Sequence, residues 1–382
     1  MSQTKYPART PAAARSTDTS EQTYIKPLAG RKAVTYGKTV ALLVIVLLLS
    51  LTVLVGMVAL MHYRANEHAK EVLALQSEVA DQRQQLQTTT VTETEMAIPP
   101  VTEPLIDHAV NTVTTQTISG IDSAYAILID MDENVVLASK NGDAKIYPAS
   151  MTKVMTLIVA AEHLTDLTET FTFDYTVTDP AYKAGASVAG FLAGESVSFR
   201  DILYGVALPS GADATTAIAL RVAGSEEAFA ELMNQKARDM GLANTHFMNA
   251  SGLHHNDHYS TPHEIAIIME YAMEIPLLSE ILSTYQYTTA ATPQHPDGIL
   301  LTSTMFSRMR GDEAGNCEVI AGKTGYTPEA GQCLVSVAET VDGARYVLVT
   351  AYATGKYAPV YDAIDVYKNY LPASETVDAS AQ

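Results

Sequence analysis

Cysteine is almost missing from this 382-residue chain, which holds only Cys317 and Cys333. The pair flanks Lys323-Thr324-Gly325. A hairpin turning near Thr327-Pro328 would set Cys333 opposite residues near Thr324 rather than opposite Cys317, so the reading is two free thiols and no disulfide. Two sulfurs without an aligned histidine also make no metal site. Positive charge is scarce as well, with 24 lysines and arginines against 43 acidic residues and a net charge of −19. Seven of the cations and only two of the anions precede residue 39, leaving 17 cations and 41 anions after Met61. So acidic a surface argues against nucleic acid as a partner. Long hydrophobic runs are rare too. One stands out: Thr39 to Met61, 23 uncharged residues rich in Leu and Val, enough to cross a bilayer as a helix at about 1.5 Å per residue.

The charge bias around that run sets its direction. Lys5, Arg9, Arg15, Lys26, Arg31, Lys32 and Lys38 precede it against Asp18 and Glu21, which keeps residues 1–38 in the cytoplasm as a tail and exports the rest. A cleaved signal peptide is the rival, but the run is long for one and starts late, favouring an uncleaved membrane anchor at 39–61. Val72, Leu75, Val79 and Leu86 then fall at heptad-like spacing, so 62–87 reads either as a helical stalk through which copies could form a homo-oligomer or as a single solvated helix. Residues 88–120 are rich in Thr, Val, Glu and Pro without helical period and suit an extended tether. A folded domain at 121–372 follows, then a polar tail at 373–382.

Within that domain, Ser150-Met151-Thr152-Lys153 opens an apolar run of helical period carried by Val154, Met155, Leu157, Ile158 and Ala161. A serine hydroxyl is a poor nucleophile at neutral pH and needs a base within hydrogen-bond reach. A lysine three positions on shares its helix face, and a second cation, for which Lys323 is the candidate, would favour the neutral form of the Lys153 amine. Pro148-Ala149 places Ser150 at a helix N-terminus, where free amides and the helix dipole can stabilise an oxyanion.

The spacing predicts strands at 123–130 and 135–139 around a turn at Met131 to Asn134, helices at 199–208, 214–223 and 228–240, and a further helix from about Pro262. Three strands at hairpin spacing follow, 319–326, 333–339 and 345–353, and a helix at 359–370 closes the domain. Strands at both ends and helices between them imply a mixed α/β (α+β) sheet built from distant segments with an inserted helical lobe.

Four stretches then carry a resemblance: Tyr147-Pro148-Ala149-Ser150-Met151-Thr152-Lys153, Leu208-Pro209-Ser210-Gly211-Ala212-Asp213-Ala214, Asn249-Ala250-Ser251-Gly252-Leu253 with His258-Tyr259-Ser260-Thr261, and Gly322-Lys323-Thr324-Gly325-Tyr326-Thr327 running to Ala330-Gly331. Residues 121–372 resemble the serine D-alanyl-D-alanine carboxypeptidases, the low-molecular-weight penicillin-binding proteins. The resemblance implies the β-lactamase/transpeptidase-like fold, a mainly antiparallel sheet flanked by helices, with the active site between sheet and lobe. It implies attack by Ser150 on the carbonyl between two terminal D-alanines of a peptidoglycan stem peptide, Lys153 as base, and Ser210 as proton relay. Lys323, Thr324, Gly325 and Tyr326 would bind substrate, the first two through its terminal carboxylate, and the amides of Ser150 and Tyr326 would form the oxyanion hole. Cofactor and metal are not expected, and β-lactam antibiotics are expected as covalent inhibitors. Relatives often carry a C-terminal β-rich domain and anchor helix. Here about ten polar residues follow Leu371, so the anchor is expected at the N-terminus.

One position departs from the pattern. The middle motif is usually Ser-x-Asn, and Ala212 stands at the asparagine position. An alanine donates no amide hydrogen bond. The departure reads as a tolerated variant, a slowed enzyme or a silent penicillin-binding scaffold, with Asp213 or a water as candidate substitutes for the lost polarity. The presence of Ser150, Lys153, Ser210 and Lys323 favours an active enzyme. A β-lactamase would need a deacylating glutamate, and no Glu-x-x-Leu-Asn-like stretch lies between Ser210 and Lys323. His254, His255, His258 and His263 invite zinc, but Asn256-Asp257 and Pro262 mark a loop, read here as shaping the cleft.

Overall fold

A computed structural model describes residues 115–309 and 314–372. The expected tail, membrane run, stalk, most of the tether and the polar C-terminus lie outside them. Among the described residues no helix is long and apolar enough to cross a membrane.

Strands β1 (Gln116–Thr117), β2 (Tyr125–Asp130), β3 (Val135–Lys140), β8 (Cys317–Thr327), β9 (Gly331–Thr340) and β10 (Arg345–Ala353) form one sheet in the order β1-β3-β2-β10-β9-β8. Only the β1–β3 pair is parallel; the other neighbours are antiparallel. The central strands read as near-continuous apolar runs because both sheet faces are covered. On one face Ile127, Ile129, Val335, Val337, Val347 and Val349 pack against the helical lobe. On the other, Leu128, Leu334 and Leu348 meet Val360, Ala363, Ile364 and Tyr367 of α8 (Ala358–Tyr370). In the β8–β9 hairpin Gly325 lies opposite Cys333 and Cys317 opposite Thr340, and both thiols are free.

The lobe between β3 and β8 centres on α1 (Lys153–His163), every residue of which from Lys153 to Ala161 is buried. Around it lie α2 (Tyr175–Lys183), α3 (Phe199–Ala207), α4 (Ala212–Ala223), α5 (Glu226–Asp239), α6 (Pro262–Met273) and α7 (Pro276–Leu282). Two small antiparallel pairs accompany them, β4 (Thr170–Thr172) with β5 (Ser196–Ser198) and β6 (Gln286–Thr288) with β7 (Leu300–Thr302).

Several boundaries differ from expectation, each for a local reason. β2 begins at Tyr125 rather than Ser123, because Asp362 on α8 accepts both the amide and the hydroxyl of Ser123 and holds it off the ladder. α4 starts two residues early behind the Gly211 cap. α5 starts at Glu226 because Ser225 caps it through the Ala228 amide, and its first turn is acidic rather than apolar. α2 escapes sequence reading because Pro180 interrupts it; Asp174 caps it by accepting from the Thr176 amide. Ser150 itself is not in an α-helix. It sits in a 3₁₀ turn, Ala149–Thr152, and α1 begins at Lys153.

Candidate active site

That 3₁₀ turn suits the chemistry better than the expected α-helix. At three residues per turn, positions i and i+3 eclipse, so Lys153 stands directly over Ser150. Lys153 Nζ lies 3.0 Å from Ser150 Oγ and donates to the Ser251 carbonyl at 2.6 Å. Ala149, just before the nucleophile, and Ser210 both adopt positive φ, +46° and +68°, a strained conformation for non-glycine residues that clusters where geometry is over-determined. Two glycines allow the turn to be gripped. A Cβ on Gly252 (φ +81°) would fall 1.9 Å from the Ala149 carbonyl oxygen, and one on Gly325 would fall 3.0 Å from the Ser150 amide nitrogen. No larger residue fits at Gly252 without displacing the nucleophile's backbone.

The cleft, about 550 Å³, runs between this turn, the β8 edge and the lobe, and is lined by Ser150, Lys153, Ser210, Thr324, Gly325 and Tyr326, among others. Of the residues given a catalytic or substrate-binding role from sequence, Lys323 alone is missing from the lining, and none of the four histidines read as shaping the cleft belongs to it. Lys323 is 1% exposed, lies beneath the floor and donates from Nζ to the Thr324 carbonyl at 3.1 Å. Burial holds its amine well below the ordinary lysine range, helped by the positive charges of Lys153 and Arg308. Lys153 is depressed to about 7, and burial is the cause; Asp213 and Glu226 act in the opposite direction. Desolvation is thus the leading cause of the Lys153 shift, and Lys153 and Lys323 also feel each other's charge.

Asp213 was a candidate substitute for the missing asparagine. Its oxygens are spent elsewhere: they accept the amides of Ala189 at 2.8 Å, Gly190 at 3.1 Å and Ala214 at 2.9 Å, fixing the loop that forms one cleft wall. The Ser251 carbonyl accepts from the Lys153 amine instead. The histidines do not converge. His258 is buried, accepts the Met248 amide on Nδ1 and therefore donates from Nε2 to Thr152 Oγ1; burial pushes it down to about 3, so it is neutral. His263 meets Asp143, and His254 packs edge-on to Tyr147. Among the described residues no three potential ligands gather for a metal.

Sequence reading gave no role to several cleft residues. Thr304 Oγ1 lies 2.6 Å from Thr324 Oγ1, Arg308 donates to the Lys356 carbonyl at 3.2 Å, and Gln332 lies behind them on β9. Ser251 was within a quoted motif but carried no assigned role. Arg308 and Lys356 lie in segments without periodicity, so only the fold could bring them to the cleft.

A serine hydroxyl beside a buried, low-pKa lysine at the edge of an antiparallel sheet defines a serine–lysine site of the acyl-transfer type. The chain belongs to the D-alanyl-D-alanine carboxypeptidase family, whose model matches residues 110–354. It is 31% identical over 235 residues, 62% of its length, to D-alanyl-D-alanine carboxypeptidase DacF of Bacillus subtilis, and spans 59% of that relative. It is 30% identical over 243 residues, 63% of its length, to a D-alanyl-D-alanine endopeptidase of Pseudomonas aeruginosa, spanning 74% of it. The crystal structure of a Streptomyces DD-transpeptidase is similar with a TM-score of 0.59 and 29% identity, covering 68% of this chain and all of that one.

Proposed function

We propose that the chain is a membrane-anchored serine D,D-carboxypeptidase that removes the terminal D-alanine of peptidoglycan stem peptides through an acyl-enzyme on Ser150. The observation that carries this reading is the 3.0 Å approach of the buried Lys153 amine to Ser150 Oγ, with its pKa lowered to about 7. A neutral amine there is a competent base at physiological pH. Ser150 Oγ attacks the penultimate D-alanine carbonyl as its proton passes to Lys153. The carbonyl oxygen takes the charge between the amides of Ser150 and Tyr326. Ser210, whose hydroxyl has no partner among the described residues, passes a proton to the departing amine, and the C–N bond breaks. Water then attacks the ester and restores Ser150. Thr324 and Arg308 hold the substrate carboxylate, a cation beside a hydroxyl, while Lys323 supports Thr324 from below.

The uncharged run at 39–61 and the cations before it support an N-terminal anchor with the domain outside the cytoplasm. Labelling cell membranes with a fluorescent penicillin tests class and topology together. One labelled band is expected in the membrane fraction, lost in Ser150→Ala, and shortened when external protease cuts within 88–120. No label at all would support a silent scaffold, and label in the soluble fraction would remove the anchor.

A further inference from the structure

Two residues in the lining of the cleft each hold a buried side-chain polar atom left without a hydrogen-bond partner by the described residues. One such atom is Ser210 Oγ, which the proposed reaction uses. The other is Gln332 Oε1, and the reaction has no task for it. Gln332 is 9% exposed. Its register places it opposite Tyr326 of β8 on one side and Ala353 of β10 on the other. Directly opposed residues of antiparallel strands point to the same face, and alternate residues share a face, so Gln332 lies on the face of Tyr326 and Thr324. That is the side on which Thr304 meets Thr324 and Arg308 reaches the Lys356 carbonyl.

The side chain thus lines the same cleft as Thr324, Arg308 and Lys356, where the leaving residue's carboxylate would sit. An alanine methyl group offers such an acceptor nothing to bond. A buried acceptor without a partner is costly, and packing alone would be served equally by leucine. The arrangement calls for a ligand group that donates a hydrogen bond, set beside a carboxylate.

We propose that Gln332 is a specificity-determining residue that recognises a polar, hydrogen-donating side chain on the leaving D-amino acid, so that the cleft accepts leaving residues larger than D-alanine and favours those with an N–H or O–H two or three bonds beyond the α-carbon. The proposal rests on the carboxypeptidase reading, because it needs a leaving residue held by its carboxylate. Its consequence is chemical: a leaving D-amino acid whose short side chain ends in a hydroxyl or N–H is released faster than its apolar isostere.

Two isosteric probes isolate the bond. Diacetyl-L-Lys-D-Ala-D-homoserine and diacetyl-L-Lys-D-Ala-D-norvaline differ only in a hydroxyl against a methyl group at the end of the leaving side chain. The parent should cleave the homoserine peptide with a kcat/KM about tenfold above that of the norvaline peptide, one hydrogen bond's worth of discrimination. Gln332→Leu should bring the ratio to one or below, and Gln332→Asn, with a shorter arm, should lie between. A parent ratio near one overturns the proposal whatever the variants do, and so does a high ratio that survives in Gln332→Leu. Release of D-alanine from diacetyl-L-Lys-D-Ala-D-Ala is measured alongside. If it occurs while the ratio is flat, only the role of Gln332 is lost; if no peptide is cleaved, the carboxypeptidase reading falls and this proposal with it.

Discussion

At the residue scale the site turns on one depressed amine. Lys153 must be neutral to take the Ser150 proton, and with a pKa near 7 it becomes so as pH rises through that value. Acylation by penicillin should therefore climb with pH around a midpoint near 7 and level off above it. A flat profile from pH 5 to 9, or a midpoint in the ordinary lysine range, would remove Lys153 as the base. Ala212 poses the second residue-scale question. Lys153 is already held by the Ser251 carbonyl at 2.6 Å, and Asp213 is committed to the amides of the neighbouring loop. Ala212 itself is 4% exposed, so an asparagine there has little room. We expect Ala212→Asn to slow acylation through overpacking. A rise of tenfold or more, the worth of about 1.5 kcal/mol from one recovered hydrogen bond, would show instead that the site is built for asparagine and weakened by its loss.

At the scale of elements, the turn that carries Ser150 is rigid because three segments grip it: the 249–253 loop, the β8 edge and α1. The Asn249 side chain knits the first of these by accepting the amides of Ser251 and Gly252 and donating to the Leu253 carbonyl. α6 contributes differently. It packs on β2 and β10 with Glu270 buried and one carboxylate oxygen unpartnered among the described residues. Burial raises that carboxyl to about 8, Glu274 adds to the effect, and Arg345 opposes it. Between the ordinary value of 4.5 and about 8 the folded chain keeps a proton that the unfolded chain releases, so stability falls as pH rises through this window. Glu270→Gln should flatten that fall and stabilise the domain by on the order of a few kcal/mol at pH 8 to 9. Denaturation curves that run parallel for parent and variant from pH 5 to 9 would contradict the assignment. These element-level facts mark the limit of sequence reading. The Ser150 and Lys153 spacing, the Lys323-Thr324-Gly325 strand and the β8–β9 hairpin were legible because each is a local pattern. The 3₁₀ turn, the burial that depresses Lys153, and the arrival of Arg308, Ser251 and Gln332 were not, because each depends on segments tens to hundreds of residues apart.

At the scale of the whole molecule, the described domain is a sheet assembled from both ends of its chain, holding an inserted lobe against its β8 edge. The cleft lies where those two parts meet. Family membership fixes the class of chemistry, while Ala212 and Gln332, both in the lining of the cleft, are the residues on which the proposed differences in rate and leaving group rest. On the proposed function, the uncharged run at 39–61 would hold the enzyme to the membrane by one end, within reach of stem peptides in the wall. The central claim is most directly tested by incubating the purified domain with diacetyl-L-Lys-D-Ala-D-Ala and measuring free D-alanine. The account predicts stoichiometric release by the parent, beyond one turnover, and none above background by Ser150→Ala or Lys153→Ala, whose single losses should each resemble the double loss. Release within tenfold of the parent by either variant, or no release by a parent that still binds penicillin, would contradict it.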